Sequence, residues 1–324
     1  MNTYEFGKTS DGKTVNAYII ENVNGIRVEF LNLGCILRQF WVQKSDEAYV
    51  NIVHGLDTVR DYETDSCFFG AFVGRFANRI KDAAFEINGK KYILEANDGP
   101  NHLHGCLSKK IFEAQPLPAK TLEEANKGVI FTYYSPDGED GFPGNVEIKV
   151  TYRLDDDNVL HMDYEALSDQ DTILNFTNHS YFNLGADQKL FVNADQYLEI
   201  TSQTIPTGNI LRVQDDPVMD FRSLRSYEDQ IPAMGYFDHC YVLNHTKCEN
   251  ALPDAVLSAP GRGITLEINT SEPAVQIYSG NPVGVAVETQ QYPCAPNFSQ
   301  FPSALVKANE KRQWKNTYKI IVDF

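Results

Sequence analysis

The chain has 324 residues and carries 28 basic against 44 acidic side chains, a formal net charge of −16. A surface that acidic repels nucleic acid and anionic lipid, so neither a nucleic acid nor a membrane is an expected partner, and a neutral, soluble small molecule fits better. Apolar residues make up 42% and aromatics 12%, a globular composition that supplies a large core and excludes a disordered chain.

In chain order, the opening stretch MNTYEFGKTSDGKTV has neither a basic region nor an apolar run of the signal-peptide kind, and no segment is long enough to span a bilayer. A cytoplasmic location is therefore expected, and the six scattered cysteines (Cys35, Cys67, Cys106, Cys240, Cys248 and Cys294), with no CxxC pair, read as reduced thiols. Asn24-Gly25 and Asn88-Gly89 each separate two apolar runs, AYIIEN from IRVEFL and AAFEI from KKYILE, which predicts hairpins closed by type I′ turns. In NVEIKVTYRL, Val146, Ile148, Val150, Tyr152 and Leu154 alternate with polar residues, as a half-buried strand requires. DDDN at 155–158 then turns the chain into VLHMDYEAL, a further hairpin. These signals recur to the end of the chain with no long amphipathic helix, linker or fixed repeat, so residues 1–324 are read as one domain. A sheet protein of this size must dispose of its edges by stacking sheets or closing a barrel. The expected fold is all-β, a large antiparallel β-sandwich, with the closed barrel as second choice.

Four polar segments interrupt this pattern. In GRFANRI (74–80), Arg75, Asn78 and Arg79 punctuate Phe76 and Ile80, either pairing with surface carboxylates or forming a fixed fork of donors aimed at oxygen atoms. In NDGPNHLHG (97–105), His102 and His104 lie two apart and are expected on one face of a strand. They either hydrogen-bond backbone near a turn or join Glu288 in a two-histidine, one-carboxylate metal site, for which no further ligand spacing speaks. NFTNHSYFNLG (175–185) sets His179 among small amides and aromatics, where burial lowers its pKa unless an acid lies near. GVAVETQQYP (284–293) ends an apolar strand on Glu288, which needs a salt-bridge partner or serves as a base beside a histidine acid. Asp238 in GYFDHCYVL also leads into an apolar strand, as a strand-entry cap or as a site residue. No Gly-rich phosphate loop, G-x-S-x-G elbow or zincin helix is present. Histidine, carboxylate, arginine and amide chemistry is what remains, and that is proton transfer to and from oxygen.

Taken in order, FVGRFANRI, NHLHG, DGEDGFPGN, TNHSYFNLG, IPTG, YFDHCYVL, VQIYSGN and GVAVETQQYPCAPN resemble the successive signatures of the aldose 1-epimerase family. The resemblance implies a one-domain antiparallel β-sandwich that interconverts the α and β anomers of a free sugar such as galactose or glucose, with neither cofactor nor metal. By position it implies Glu288 as general base on the C1 hydroxyl and His179 as general acid on the ring oxygen. His104 then corresponds to the second family histidine beside that oxygen. Arg79 and Asp238 correspond to hydroxyl-binding residues, with Asn78 and Asn178 as supports. Two positions depart from the pattern: Cys106 stands where a second glycine usually follows LHG, ahead of LSKKIFEAQP, and PCAPN occupies 293–297. The first leaves open the choice among galactose, glucose and longer sugars such as maltose; the sequence itself fits a monomer or a homodimer. The rival readings are a hexose-phosphate or oligosaccharide epimerase, a non-catalytic sugar-binding relative, and a glycosidase using Asp238 and Glu288 as its carboxylate pair.

Overall fold

The computed structural model describes residues 1–44, 48–119, 127–229, 232, 235–245 and 252–323. Cys248 lies outside them, and the other five cysteines are free thiols. Val146–Leu154 buries every second residue and pairs antiparallel with Val159–Ser168, whose Leu160, Met162, Tyr164 and Ala166 are buried in the same rhythm. The predicted turn joins them, and Asp155 Oδ1 closes it by accepting from the backbone N–H groups of Asp157 and Val159.

This hairpin sits inside an eight-stranded sheet. Gly128–Ser135 and Glu113–Pro116 extend it on one side; Lys311–Val322, Ile264–Thr270, Ala255–Ala259 and Lys189–Val192 extend it on the other. A six-stranded sheet runs in the order Tyr181–Phe182, Val285–Gln290, Ala274–Tyr278, Asp238–Val242, Gln196–Ile200 and Pro206–Arg212. A five-stranded meander is built from Asn2–Lys8, Thr14–Glu21, Arg27–Leu31, Leu37–Gln43 and Tyr49–Asn51. The strands pair antiparallel and each sheet keeps two ends, so the architecture is the open sandwich and not the closed barrel.

One cluster of buried side chains draws on all three sheets: Val28 and Phe40 from the meander, Val150, Tyr164 and Trp314 from the eight-stranded sheet, and Val275, Ile277, Val285 and Val287 from the six-stranded one. Burial of each such side chain contributes about 1.5–3 kcal/mol of transfer free energy. The period of two then has a functional consequence. With Val275, Ile277, Val285 and Val287 committed to the core, their neighbours Gln276, Tyr278, Ala286 and Glu288 must face the other side of the sheet.

The two Asn-Gly turns differ from each other. Asn88 and Gly89 both have positive φ (52° and 79°), as a two-residue type I′ turn between Ala84–Ile87 and Lys90–Ile93 demands. At Asn24-Gly25 only Gly25 is left-handed, with φ 77°, and the loop is one residue longer. Gly25 N–H donates to Asn22 O, and the Asn22 side chain accepts from the N–H groups of Asn24 and Ile26. That side-chain turn stabilises a three-residue loop and displaces the predicted type I′ geometry.

Val59–Thr64 is the α-helix among the described residues, with Thr58 and Asp61 forming a capping box at its start. No helix there is long and apolar enough to cross a membrane. Beyond the helix, Asp65 accepts from the N–H groups of Cys67 and Phe69, fixing the turn that carries Ser66, Cys67 and Phe68.

Candidate active site

Strand register assembles half of a cleft on the outer face of the six-stranded sheet. Asp238 lies opposite Tyr278, Tyr278 opposite Ala286, and Ala286 opposite Tyr181; two residues along, Gln276 lies opposite both Cys240 and Glu288. The other half comes from the short ladder of Arg79–Ile80 with His102–Leu103, which brings Arg79 and Leu103 and the adjoining Asn78 and His104, from His179, and from the turn bearing Ser66, Cys67 and Phe68. The cleft is small, about 120 Å³, and what singles it out is the set of titratable side chains that converge in it. A larger groove runs past Glu113, Tyr134, Glu147, Lys149 and Glu165, but no buried titratable groups converge there, and chemistry needs such groups more than it needs volume.

Within the cleft, His179 Nε2 stands 3.5 Å from Glu288 Oε1, with both side chains at most 5% exposed. Glu288 Oε2 and His179 Nδ1 are buried with no hydrogen-bond partner among the described residues. Burial, and then the charge of Asp238, push the Glu288 carboxyl well above the usual range against the opposing pull of Arg79. Burial lowers His179 to about 4. It also holds His104 well below the ordinary histidine value, helped by His179, Arg79 and His102.

Arg79 crosses between two carboxylates: Nε donates to Asp98 Oδ2 at 2.7 Å and Nη1 to Asp238 Oδ2 at 3.3 Å. These partners outweigh the burial that would lower its pKa, and raise it instead. Gln276 Nε2 donates to the other Asp238 oxygen, at 2.5 Å. Asp238 is thus held by an arginine and an amide, and the strand-entry cap is not its role; both oxygens are occupied, which disfavours a glycosidase carboxylate pair. The ring of Phe68 lies 4.6 Å from that of His104 and 5.9 Å from that of His179, closing the cleft's apolar side.

A scan against family models matches the description Aldose 1-epimerase over residues 16–319. The chain belongs to the aldose 1-epimerase family. It is 34% identical to the Haemophilus influenzae aldose 1-epimerase over 90% of this chain and 91% of that one, and 33% identical to the Bos taurus galactose mutarotase over 92% of each. Among solved structures, the aldose epimerase homologue from C. elegans superposes with a TM-score of 0.86 at 28% identity, covering 95% of this chain and 99% of that one. The galactose 1-epimerase from Lactobacillus acidophilus gives the same score and identity over 100% and 99%. Membership in the aldose 1-epimerase family makes the chain an isomerase acting on sugars, with mutarotase activity as the general reaction.

The structure of this epimerase fold corrects the placement of the two histidines and gives Asn178 and Arg75 their particular roles. His102 and His104 do not share a strand face, because the strand His102–Leu103 ends before His104, whose φ is +64°. His102 turns inward, fully buried, with Nδ1 2.7 Å from the Glu95 carbonyl. Asn178 does not line the cleft: its Nδ2 donates to Gly70 O, and its Oδ1 accepts from the N–H and hydroxyl of Ser180, so it braces the His179 turn instead. Arg75 is the fork of donors, but aimed at backbone. It donates to the carbonyls of Ser135, Pro136, Pro143 and Gly144 and to the Ser135 hydroxyl. Arg75→Lys is expected to lower stability by at least about 2 kcal/mol in urea denaturation, because a point charge leaves several of these buried carbonyls unpaired.

The donor atoms of His104, His179 and Glu288 lie within 4.8 Å of one another, a grouping of residue types that suits a metal. Their hydrogen bonding does not. Metal-bound imidazoles donate their second N–H to an acceptor, whereas here Asn78 N–H donates to His104 Nδ1 and His179 Nδ1 faces no acceptor among the described residues. The set weighed from sequence, His102 with His104 and Glu288, is not assembled, since His102 points elsewhere. Sequence reasoning also missed Gln276, Tyr181, Tyr278 and Phe68. Gln276 and Tyr278 lay in VQIYSGN, and their spacing of two on the strand beside Glu288 was the signal.

Proposed function

We propose that this cleft interconverts the α and β anomers of a free aldose such as galactose or glucose by acid/base-catalysed ring opening, in a one-domain cytoplasmic protein that uses no cofactor and works as a monomer or a homodimer. The observation that carries the reading is the His179–Glu288 pair, 3.5 Å apart in a cleft that shields both from water. Glu288 takes the proton of the C1 hydroxyl, the C1–O5 bond breaks as the C1 carbonyl forms, and His179 delivers a proton to O5. Rotation about C1–C2 and closure on the other face run both transfers backwards.

The pair needs one proton between its two members. In the empty cleft burial favours the uncharged arrangement, carboxyl and neutral imidazole. A bound sugar changes the balance, because its hydroxyls donate to the unpartnered Glu288 Oε2 while its ring oxygen accepts from His179 Nε2, and both contacts favour the carboxylate and imidazolium forms. His104, whose Nδ1 accepts from the Asn78 backbone, carries its proton on Nε2 and is a fixed hydrogen-bond donor to the substrate oxygen. Arg79 and Asp238, each held by further partners, bind hydroxyls with Asn78 in support.

Arg79 is the cation among the described cleft residues, and two carboxylates already pair with it. That arrangement disfavours a sugar phosphate. Polarimetry tests the reading: crystalline α-D-glucose and α-D-galactose, dissolved separately, should reach equilibrium rotation faster with the protein than without it. No acceleration with either sugar rejects it. His104→Ala should slow the reaction more than His102→Ala, and the reverse order would mean that the wrong histidine of HLH has been given the substrate contact.

A further inference from the structure

The segment DGEDGFPGN has no part in the chemistry above, yet its turn lies directly behind HLHG. Glu139 is tied there by Lys110, Ser135 and Tyr133, and the carbonyls of Pro143 and Gly144 are held by Arg75. Phe142 packs its ring 5.6 Å from that of His102. The turn thereby aims Asp140 at His102: Asp140 Oδ2 lies 3.4 Å from His102 Nε2, with side-chain exposures of 9% and 0%.

Hydrogen accounting at this contact leaves one arrangement. The Glu95 carbonyl can only accept, so His102 Nδ1 carries a proton and donates it. A neutral His102 then presents a bare lone pair at Nε2, facing a carboxylate oxygen that is also an acceptor. Both atoms are buried, and neither makes a hydrogen bond among the described residues, the 3.4 Å contact between them included. Two facing acceptors sealed from water are costly, and a single proton between them removes the cost. Among the described residues, His104 feels the charge of His102, Cys106 feels those of Asp140, Glu139 and Lys110, and Arg75 feels that of Glu139.

We propose that His102 and Asp140 share one buried proton, and that this hydrogen bond is the positioning device for His104. His102 pairs in register with Ile80, and Leu103 with Arg79, so the element that His102 anchors also sets the approach of His104 to the Asn78 N–H. The backbone of His104, at φ +64°, is not a conformation the residue holds unaided. Loss of the anchor frees the loop, and the His104 ring loses the contact that keeps its proton on Nε2. The positioning claim rests on the mutarotase reading; the shared proton does not.

Nitrogen-15 spectra of imidazole-labelled protein near pH 7 test the proton directly. His102 should show Nε2 protonated or sharing a proton in the native protein, and a bare Nε2 in Asp140→Asn, where the new amide donates to a neutral ring. A bare Nε2 in the native protein overturns the proposal even if the enzyme is active. Kinetics and the His104 signals test positioning: Asp140→Ala should lower kcat/KM by about 10- to 100-fold and mix the His104 tautomers, whereas Asp140→Asn, which keeps the hydrogen bond, should retain most activity and a single tautomer. Native activity and an unmixed His104 in Asp140→Ala would overturn it. Should the native protein prove inactive on aldoses, the two histidine spectra still decide the proton and the tautomer, so that failure stays separate.

Discussion

Glu288→Gln is expected to lower kcat for anomer interconversion by about 10²–10⁴-fold, the usual contribution of one general base, equivalent to about 2.7–5.4 kcal/mol of barrier. The amide keeps the shape of the carboxyl and still accepts a hydroxyl hydrogen bond, so ground-state sugar binding changes little and kcat and kcat/KM fall together. Stability should not fall. Burial already favours the uncharged carboxyl in the empty cleft, with Glu288 only 2% exposed, so the substitution replaces one neutral group by another. Calorimetry alongside polarimetry separates the two effects: an unchanged melting temperature with a collapsed rate is the expected result. A variant with near-native rate would remove Glu288 from the chemistry, and one that is merely unfolded would show its loss in the calorimeter.

How far the sequence could reach depends on whether a feature is local. Alternation from Val146 to Leu154 is written along one strand, and the structure repeats it residue by residue. The hairpin at 155–158 is equally local. At Asn24-Gly25 the dipeptide suggested one turn, but Asn22, two positions upstream, supplies a side-chain oxygen that accepts two backbone N–H groups and favours another. The cleft was legible where type and context spoke together, as for His179 among amides and Glu288 at the end of an apolar strand. It was not legible where pairing across distance decides. Asp98 becomes the partner of Arg79 from 19 residues away, and Gln276 meets Asp238 across 38 residues only because two strands lie in register. His102 and His104 show the limit most sharply, since a single left-handed residue cancels the period-two rule that placed them on one face.

His179→Asn is expected to cost about as much in kcat as loss of the base, about 10²–10⁴-fold, and its pH behaviour distinguishes a general acid from a bystander. In the native enzyme the active form of the pair holds one proton. A second proton is added as pH falls through about 4, the value to which burial lowers His179, so kcat/KM should fall along that acid limb. Loss of the single proton limits activity on the alkaline side, beyond the raised Glu288 value. In His179→Asn the residual rate should lose the limb near 4. Stability moves with its own sign. Unfolded, the histidine takes up its proton near 6.5; folded, only near 4; the unfolded state therefore binds more protons between those values, and stability present above 6.5 is lost as pH falls toward 4. That contribution is on the order of 3 kcal/mol, and the Asn variant should show a correspondingly shallower decline, the remainder coming from His104 and His239, whose values are also lowered by burial. The double variant Glu288→Gln/His179→Asn closes the test. Groups that pass one proton between them act as a unit, so the double should be scarcely slower than the worse single. Fully multiplicative losses would mean that the two side chains act independently, and that they do not exchange the roles of acid and base.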